Sequence, residues 1–150
     1  MSAVASFNPG HGLELVLQGH VAVLEFSRPP FNYFDQALIE DLVATLEYLD
    51  QLPACRVVVL QAAGKTFCAG ADFNGAAHTR EPSFPRQLYK FAVRLFRTRK
   101  PLIVVVEGAA VGGGLGLALV GDYRVTSEKA RFCANFNRLG IHQGFGISVT

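Results

Sequence analysis

Apolar residues fall along this chain in short runs, and the spacing inside each run predicts the element it forms. Leu13 to Leu17 (LELVL) and Val21 to Phe26 (VAVLEF) flank Gln18-Gly19-His20, which reads as two antiparallel strands around a glycine-bearing turn. Arg28-Pro29-Pro30 ends the second strand. From Asp35 the period changes. Leu38, Ile39, Leu42, Val43, Leu46 and Leu49 recur at three and four residues, predicting an amphipathic helix with Asp35 as N-cap and Pro53 as its stop.

RVVVLQ (Arg56 to Gln61) and PLIVVVEG (Pro101 to Gly108) lack alternation, as strands buried on both faces do. Each leads into a glycine-bearing loop and then a helix. AAGKTFCAGADFNGAA precedes helical spacing at Leu88, Phe91, Ala92, Leu95 and Phe96, closed by Lys100-Pro101. The second loop opens directly into an apolar helix, Gly112 to Val120. DYRVTS (Asp122 to Ser127) and ARFCA (Ala130 to Ala134) read as strands, and Gly144 to Thr150 as the first turns of another helix. The sequence stops on that apolar segment without a C-cap or polar tail, so a truncated chain is expected.

Half of the 150 residues are apolar and the net charge is +2, which fits one domain, residues 1–150, with a real core. Arg94, Arg97, Arg99 and Lys100 form too short a cluster for a nucleic-acid stripe and read as a solvated helix end. No apolar run approaches the roughly 18 residues that span a bilayer, and the N-terminus carries no secretory pattern. A cytoplasmic protein without membrane or nucleic-acid partners is the expectation. Cys55, Cys68 and Cys133 have no paired ligand spacing, so reduced thiols and no metal are expected.

The candidate chemistry lies in FCAGADF (Phe67 to Phe73) and AVGGGLG (Ala110 to Gly116). Each loop follows a buried strand. Amides at a helix start have no intrahelical acceptor and sit at its positive end, so one from each loop would make a two-donor clamp for developing negative charge. The dinucleotide fingerprint G-x-G-x-x-G is absent, because Leu117 stands where its last glycine belongs, and no Gly-Lys-Ser/Thr follows the glycines. Close helix-to-strand packing explains a lone glycine triplet about as well as function does.

AGKTFCAGADF, KPLIVVVEGAAVGGGLGLALVGDYRV and ARFCANFNRLGIHQGFG, in this order, strongly resemble the crotonase superfamily, the enoyl-CoA hydratase/isomerase family. Arg28-Pro29 and Asn32 resemble that family's early R-P-x-x-N stretch. The resemblance runs from about Leu13 to the last residue and covers the N-terminal part of a family domain. It implies an α/β fold, a crotonase-like spiral of repeated ββα units, with the C-terminal helical part absent. It also implies an acyl-CoA substrate, coenzyme A entering only as part of that substrate with no permanent cofactor, and a homotrimer or dimer of trimers at full length.

Residue by residue, the resemblance makes Ala71 and Gly113 the amides that grip the thioester oxygen. It places Ala69, Asp72 and Phe73 near the coenzyme, with Pro30 and Phe31 as weaker matches; Phe73 reads equally as core or lid packing and Asp72 as a helix N-cap. A hydratase of this family uses two glutamates. Gly116 and Phe136 occupy their positions here, which speaks against water addition by that pair and leaves isomerase or other lyase chemistry, or a non-catalytic acyl-CoA binder. Gly116 also reads as a gap. Some relatives with glycine there, the naphthoate-forming synthases, hold a bicarbonate in that space, but this chain lacks the rest of that subgroup's pattern, and a bulkier acyl group is the equal alternative. Asp122, Asn135, Asn137, His142, Cys68 and Cys133 are the remaining candidates, each with a structural reading beside it. Asp122 and the cysteines read mainly as structural, and Gln143 departs from the family's usual Pro-Gly.

Overall fold

The structure is a computed structural model that describes residues 7–72 and 84–149. Strands β1 (Leu13–Gln18) and β2 (Val21–Phe26) form the expected antiparallel pair. Helix α1 spans Gln36–Gln51, and the Asp35 carboxylate accepts from the Leu38 amide, 2.9 Å. Such a cap contributes about 1 kcal/mol. Leu52 turns extended at the other end, as a residue before proline must when the ring clashes with a helical backbone.

Beyond α1 the chain repeats one motif. Strand β3 (Val57–Ala62) is followed by β4 (Thr66–Cys68) and, later, helix α2 (Phe84–Leu95). Strand β5 (Leu102–Val106) is followed by β6 (Ala109–Val111) and helix α3 (Gly113–Leu119). Strands β7 (Tyr123–Thr126) and β8 (Arg131–Cys133) begin a third round, and a 3₁₀ turn covers Asn135–Leu139. The first strand of each round joins a five-stranded sheet ordered β1-β2-β3-β5-β7, and the second joins a three-stranded sheet ordered β4-β6-β8. Every pairing after the first hairpin is parallel. The same turn is therefore taken three times, and equivalent loops stack beside one another.

One apolar cluster holds these layers together. Leu38, Ile39, Leu42 and Leu49 of α1 meet Leu24 and Phe26 of β2, Leu60 of β3 and Val104 of β5, all essentially inaccessible. Burying each such side chain contributes about 1.5–3 kcal/mol. Strands β3 and β5 differ from expectation. Val58, Leu60, Leu102, Val104 and Val106 are buried, while the residues between them are only half-buried. One face of each strand carries the core and the other is partly open.

The basic cluster before Pro101 is tied to α1 rather than simply solvated. Arg94 grips Glu47 through two nitrogens, with both carboxylate oxygens at 2.7 Å from Nη2, and Asp50 accepts from the Arg99 and Lys100 amides. The expected helix at Gly144 to Thr150 does not form among the described residues. Phe145 and Gly146 have φ of 57° and 74°, values that a right-handed helix cannot contain. Among the described residues no helix is long and apolar enough to cross a membrane.

Candidate active site

The first glycine loop is set by a partner far away in sequence. Phe34 forms an isolated parallel bridge with Ala71: its amide donates to the Gly70 carbonyl, 2.9 Å, and its carbonyl accepts from the Asp72 amide, 2.8 Å. Those bonds use the groups on either side of Ala71, so the Ala71 amide itself points away from Phe34. Gly70 lies at φ 102°, where side chains are strained, and a Cβ there would come 3.1 Å from the Val111 carbonyl oxygen.

The segment resembling R-P-x-x-N supports this loop from beneath. Buried Asn32 accepts from the Arg28 amide and donates to the Ala63 and Thr66 carbonyls at 2.7–2.8 Å. Phe31 accepts from the Ala69 amide, 3.0 Å. Arg28 and Asp35 pair at 2.7 Å on either side of Phe34. Burial opposes the charge on Asp35, yet the Leu38 amide and the Arg28 guanidinium outweigh it and hold the carboxyl below its usual range.

The second loop is set locally. Gly112 caps α3 at φ 55°; its amide donates to the Cys133 carbonyl, 2.8 Å, and its carbonyl accepts from Gly116. Gly113 is the first helical residue, and its amide has no intrahelical acceptor. Among the described residues neither the Ala71 nor the Gly113 amide has a hydrogen-bond acceptor. The remaining glycines are where they are because backbone or rings press on them. A Cβ on Gly114 would collide with the Cys68 carbonyl, and one on Gly113 would lie 2.5 Å from Phe34 Cζ. The two loops abut, since the Cβ position of Gly70 is 3.7 Å from the Gly113 nitrogen.

Both loops open on a cavity of about 290 Å³ whose lining includes Phe34, Ala69, Ala71, Gly113, Phe136 and Phe145. The polar side chains among the described lining residues are Tyr89, Asn135 and His142. No carboxylate is among them. Asn135 lies against Gly112, its Oδ1 2.9 Å from where a Cβ would stand. His142 is exposed at the rim, with Nδ1 2.7 Å from the Gln143 carbonyl. Tyr89 is a lining residue that the sequence pattern did not single out, because it sits among helical positions read only for their apolar face. Burial raises its phenol above the ordinary value.

Other candidates fall outside the cavity. Gly116 is buried and is not among the residues that line the cavity, and Phe145 fills the space beside it. Asp72 gives its amide to Phe34, Pro30 and Phe31 are exposed away from the cavity, and Phe73 lies outside the described residues. Asp122 is structural: it accepts from the Leu102 amide, 2.8 Å, joining the starts of β5 and β7. Asn137 and Cys133 are exposed and do not line the cavity. Cys68 is fully buried and its thiol is pushed up to about 12 by desolvation, which removes it as a nucleophile.

Two glycine loops from successive turns of a parallel spiral, meeting over an apolar cavity, define the crotonase class of fold. A family model described as enoyl-CoA hydratase/isomerase matches residues 17–150, and the chain belongs to that family. It is 37% identical over 138 residues to a Mycobacterium tuberculosis protein named probable enoyl-CoA hydratase echA14, covering 89% of this chain and 54% of that one. It is 33% identical to the 1,2-epoxyphenylacetyl-CoA isomerase of Escherichia coli, covering 81% and 49%. The crystal structure of a Geobacillus kaustophilus enoyl-CoA hydratase subunit superposes with a TM-score of 0.85 at 31% identity, covering 93% of this chain and 55% of that one. The chain thus spans about half the length of these relatives.

Proposed function

We propose that the full-length protein binds an acyl-CoA thioester and stabilises its enolate through the amides of Ala71 and Gly113. The observation that supports this reading is the pair of acceptor-free amides on adjoining loops at one apolar cavity. When a proton leaves the α-carbon of a thioester, charge grows on the carbonyl oxygen. Fixed donors hold that oxygen more tightly in the transition state than in the ground state, and each is worth on the order of 10² to 10³ in rate. Apolar walls strengthen the effect by excluding water.

The lining also bears on the reaction. With Gly116 and Phe136 at the two glutamate positions, the described lining has no pair of carboxylates to hold water and deliver a proton. Isomerisation, decarboxylation or carbon–carbon cleavage of the acyl group fits better than water addition, and among the described lining residues Tyr89 and His142 are able to move a proton. Coenzyme A enters as part of the substrate, with no permanently bound cofactor, and a homotrimer or dimer of trimers belongs to the same reading.

The absence of a carboxylate from the described lining favours one alternative, an acyl-CoA binder without catalysis. Exchange of the α-protons of butyryl-CoA in heavy water, followed by NMR with the full-length protein, separates the two. Exchange above the protein-free rate is expected. Micromolar binding with no exchange would make the protein a binder, and near-normal hydration of crotonyl-CoA would overturn the argument from the missing glutamates.

A further inference from the structure

The space beside Gly116 is occupied from a distant part of the chain. A Cβ on Gly116 would lie 2.5 Å from Phe145 Cβ and 2.8 Å from its Cγ and Cδ1, so any side chain at 116 would need the volume that Phe145 already fills. Phe145 is itself buried and has a φ of 57°, a region that bulky residues enter only when their surroundings hold them there. What holds it is packing. Its ring lies 5.4 Å from that of Phe34 at 57°, and Phe34 stands directly over Gly113.

Phe145 also divides two spaces. With Tyr89 it lines both the cavity at the glycine loops and a second apolar space of about 420 Å³, an open groove bounded by Ala92 and the exposed Val93 and Phe96 on the α2 side and by Gly146 and the exposed Val149. The Tyr89 hydroxyl abuts Gly144, where a Cβ would collide with it. Tyr89 and Phe145 are thus the aromatic side chains shared by the two spaces, with Tyr89 set against the bare backbone of Gly144. The first cavity alone, about 290 Å³, is at the lower end of ligand-pocket sizes.

We propose that Phe145 sets the length of acyl group the site accepts, closing the first cavity beside Gly116 and barring chains that would continue into the apolar space along α2. This rests on the thioester reading above. A short acyl group fits on the Gly113 side of the Phe34–Phe145 pair; a longer one meets the Phe145 ring and must displace a side chain locked by its neighbours. The same ring gives the glycine at 116 a steric reason. A carboxylate side chain there and Phe145 in its present place exclude each other.

The test is the affinity of the full-length protein for butyryl-, octanoyl- and dodecanoyl-CoA, measured calorimetrically for the wild type, Phe145→Ala and Phe145→Leu. The wild type should bind butyryl-CoA at least about tenfold more tightly than dodecanoyl-CoA, since an ill-fitting chain in an apolar pocket costs at least that much. Phe145→Ala should shift the ratio of dodecanoyl-CoA to butyryl-CoA affinity about tenfold toward the longer chain, with Phe145→Leu in between. A wild type that already prefers dodecanoyl-CoA would overturn the inference even if neither variant folds. A folded variant with an unchanged chain-length ratio would overturn it too. Failure of the wild type to bind any of the three esters would instead remove the thioester reading, and this inference with it.

Discussion

The two glycine loops leave an amide free by different devices. At Ala71 the amide is free because Phe34, 37 positions earlier in chain order, takes the groups on either side of it. At Gly113 it is free because a helix begins there and has nothing behind it to accept. The first arrangement is tertiary and depends on the loop beneath it; the second is local and needs only the helix. A site built from one of each keeps a donor fixed by secondary structure opposite one that responds to how α1 and the loop before it are packed.

The largest expected effect comes from removing either donor. Amide-to-ester exchange by semisynthesis, at Ala71 or at Gly113, deletes one N–H and adds no atom near Phe34. Each should slow α-proton exchange by about 10² to 10³, and equal losses would show that the two devices are equivalent in the reaction. A loss at one position only would break the symmetry of the pair. Proline at 113 also deletes the N–H, but its ring would press on Phe34, where a Cβ alone reaches 2.5 Å, so it tests packing as well as chemistry.

A smaller effect should follow from prying the loops apart. Gly114→Ala sets a methyl group against the Cys68 carbonyl, backbone that cannot swing away, and overpacking of this kind costs about 1–3 kcal/mol. Gly64 provides the contrast: it has φ 88° but nothing within 4 Å of its Cβ position, so Gly64→Ala should cost only the roughly 1–2 kcal/mol of a left-handed backbone and leave the site alone. Urea denaturation gives both stabilities. A Gly114→Ala protein as stable as wild type would mean that loop two does not rest on β4.

The smallest lever acts on the support of the first loop. Asp35 has a carboxyl held below its usual range in the folded protein, so its charge stabilises the fold above the unfolded value near pH 4, and that contribution is lost as pH falls through the lower folded value. Asparagine still caps a helix, so Asp35→Asn isolates the ion pair with Arg28. Because that pair is partly exposed to solvent, the cost at pH 7 should be about 0.5 kcal/mol, shrinking toward zero as the pH drops below 4. A cost that is constant with pH would assign the effect to packing.

What the sequence made legible follows from the range over which each signal acts. The hairpin β1–β2 and helix α1, down to its Asp35 cap, are written in local spacing and came out as expected. Strands β4 and β6 have three residues each, too few to show a period, so two of the three strands of the second sheet were hidden inside what read as loops. The glycine loops stood out, yet packing and function looked alike there, and the geometry separates individual glycines: Gly114 is forced by the Cys68 carbonyl while Gly113 carries an amide without an acceptor among the described residues. Phe145 had no signal at all. Its segment read as a helix start, and only the positive φ and the contact with Gly116, far back in the chain, reveal what it does. Tyr89 was missed for the same reason, since a position on a helix does not say which cavity it meets.

Cys68 carries a practical consequence. Its carbonyl is the floor on which Gly114 rests, its sulfur is sealed in the core, and desolvation pushes the thiol up to about 12. The thiolate that alkylating agents and peroxides attack is then almost absent at neutral pH. Oxidative damage should fall first on exposed Cys133, while Cys68 stays intact as long as β4 and the two loops stay closed. A reagent that marks Cys68 has caught the protein with that junction open, which makes the sulfur an internal clock for its breathing.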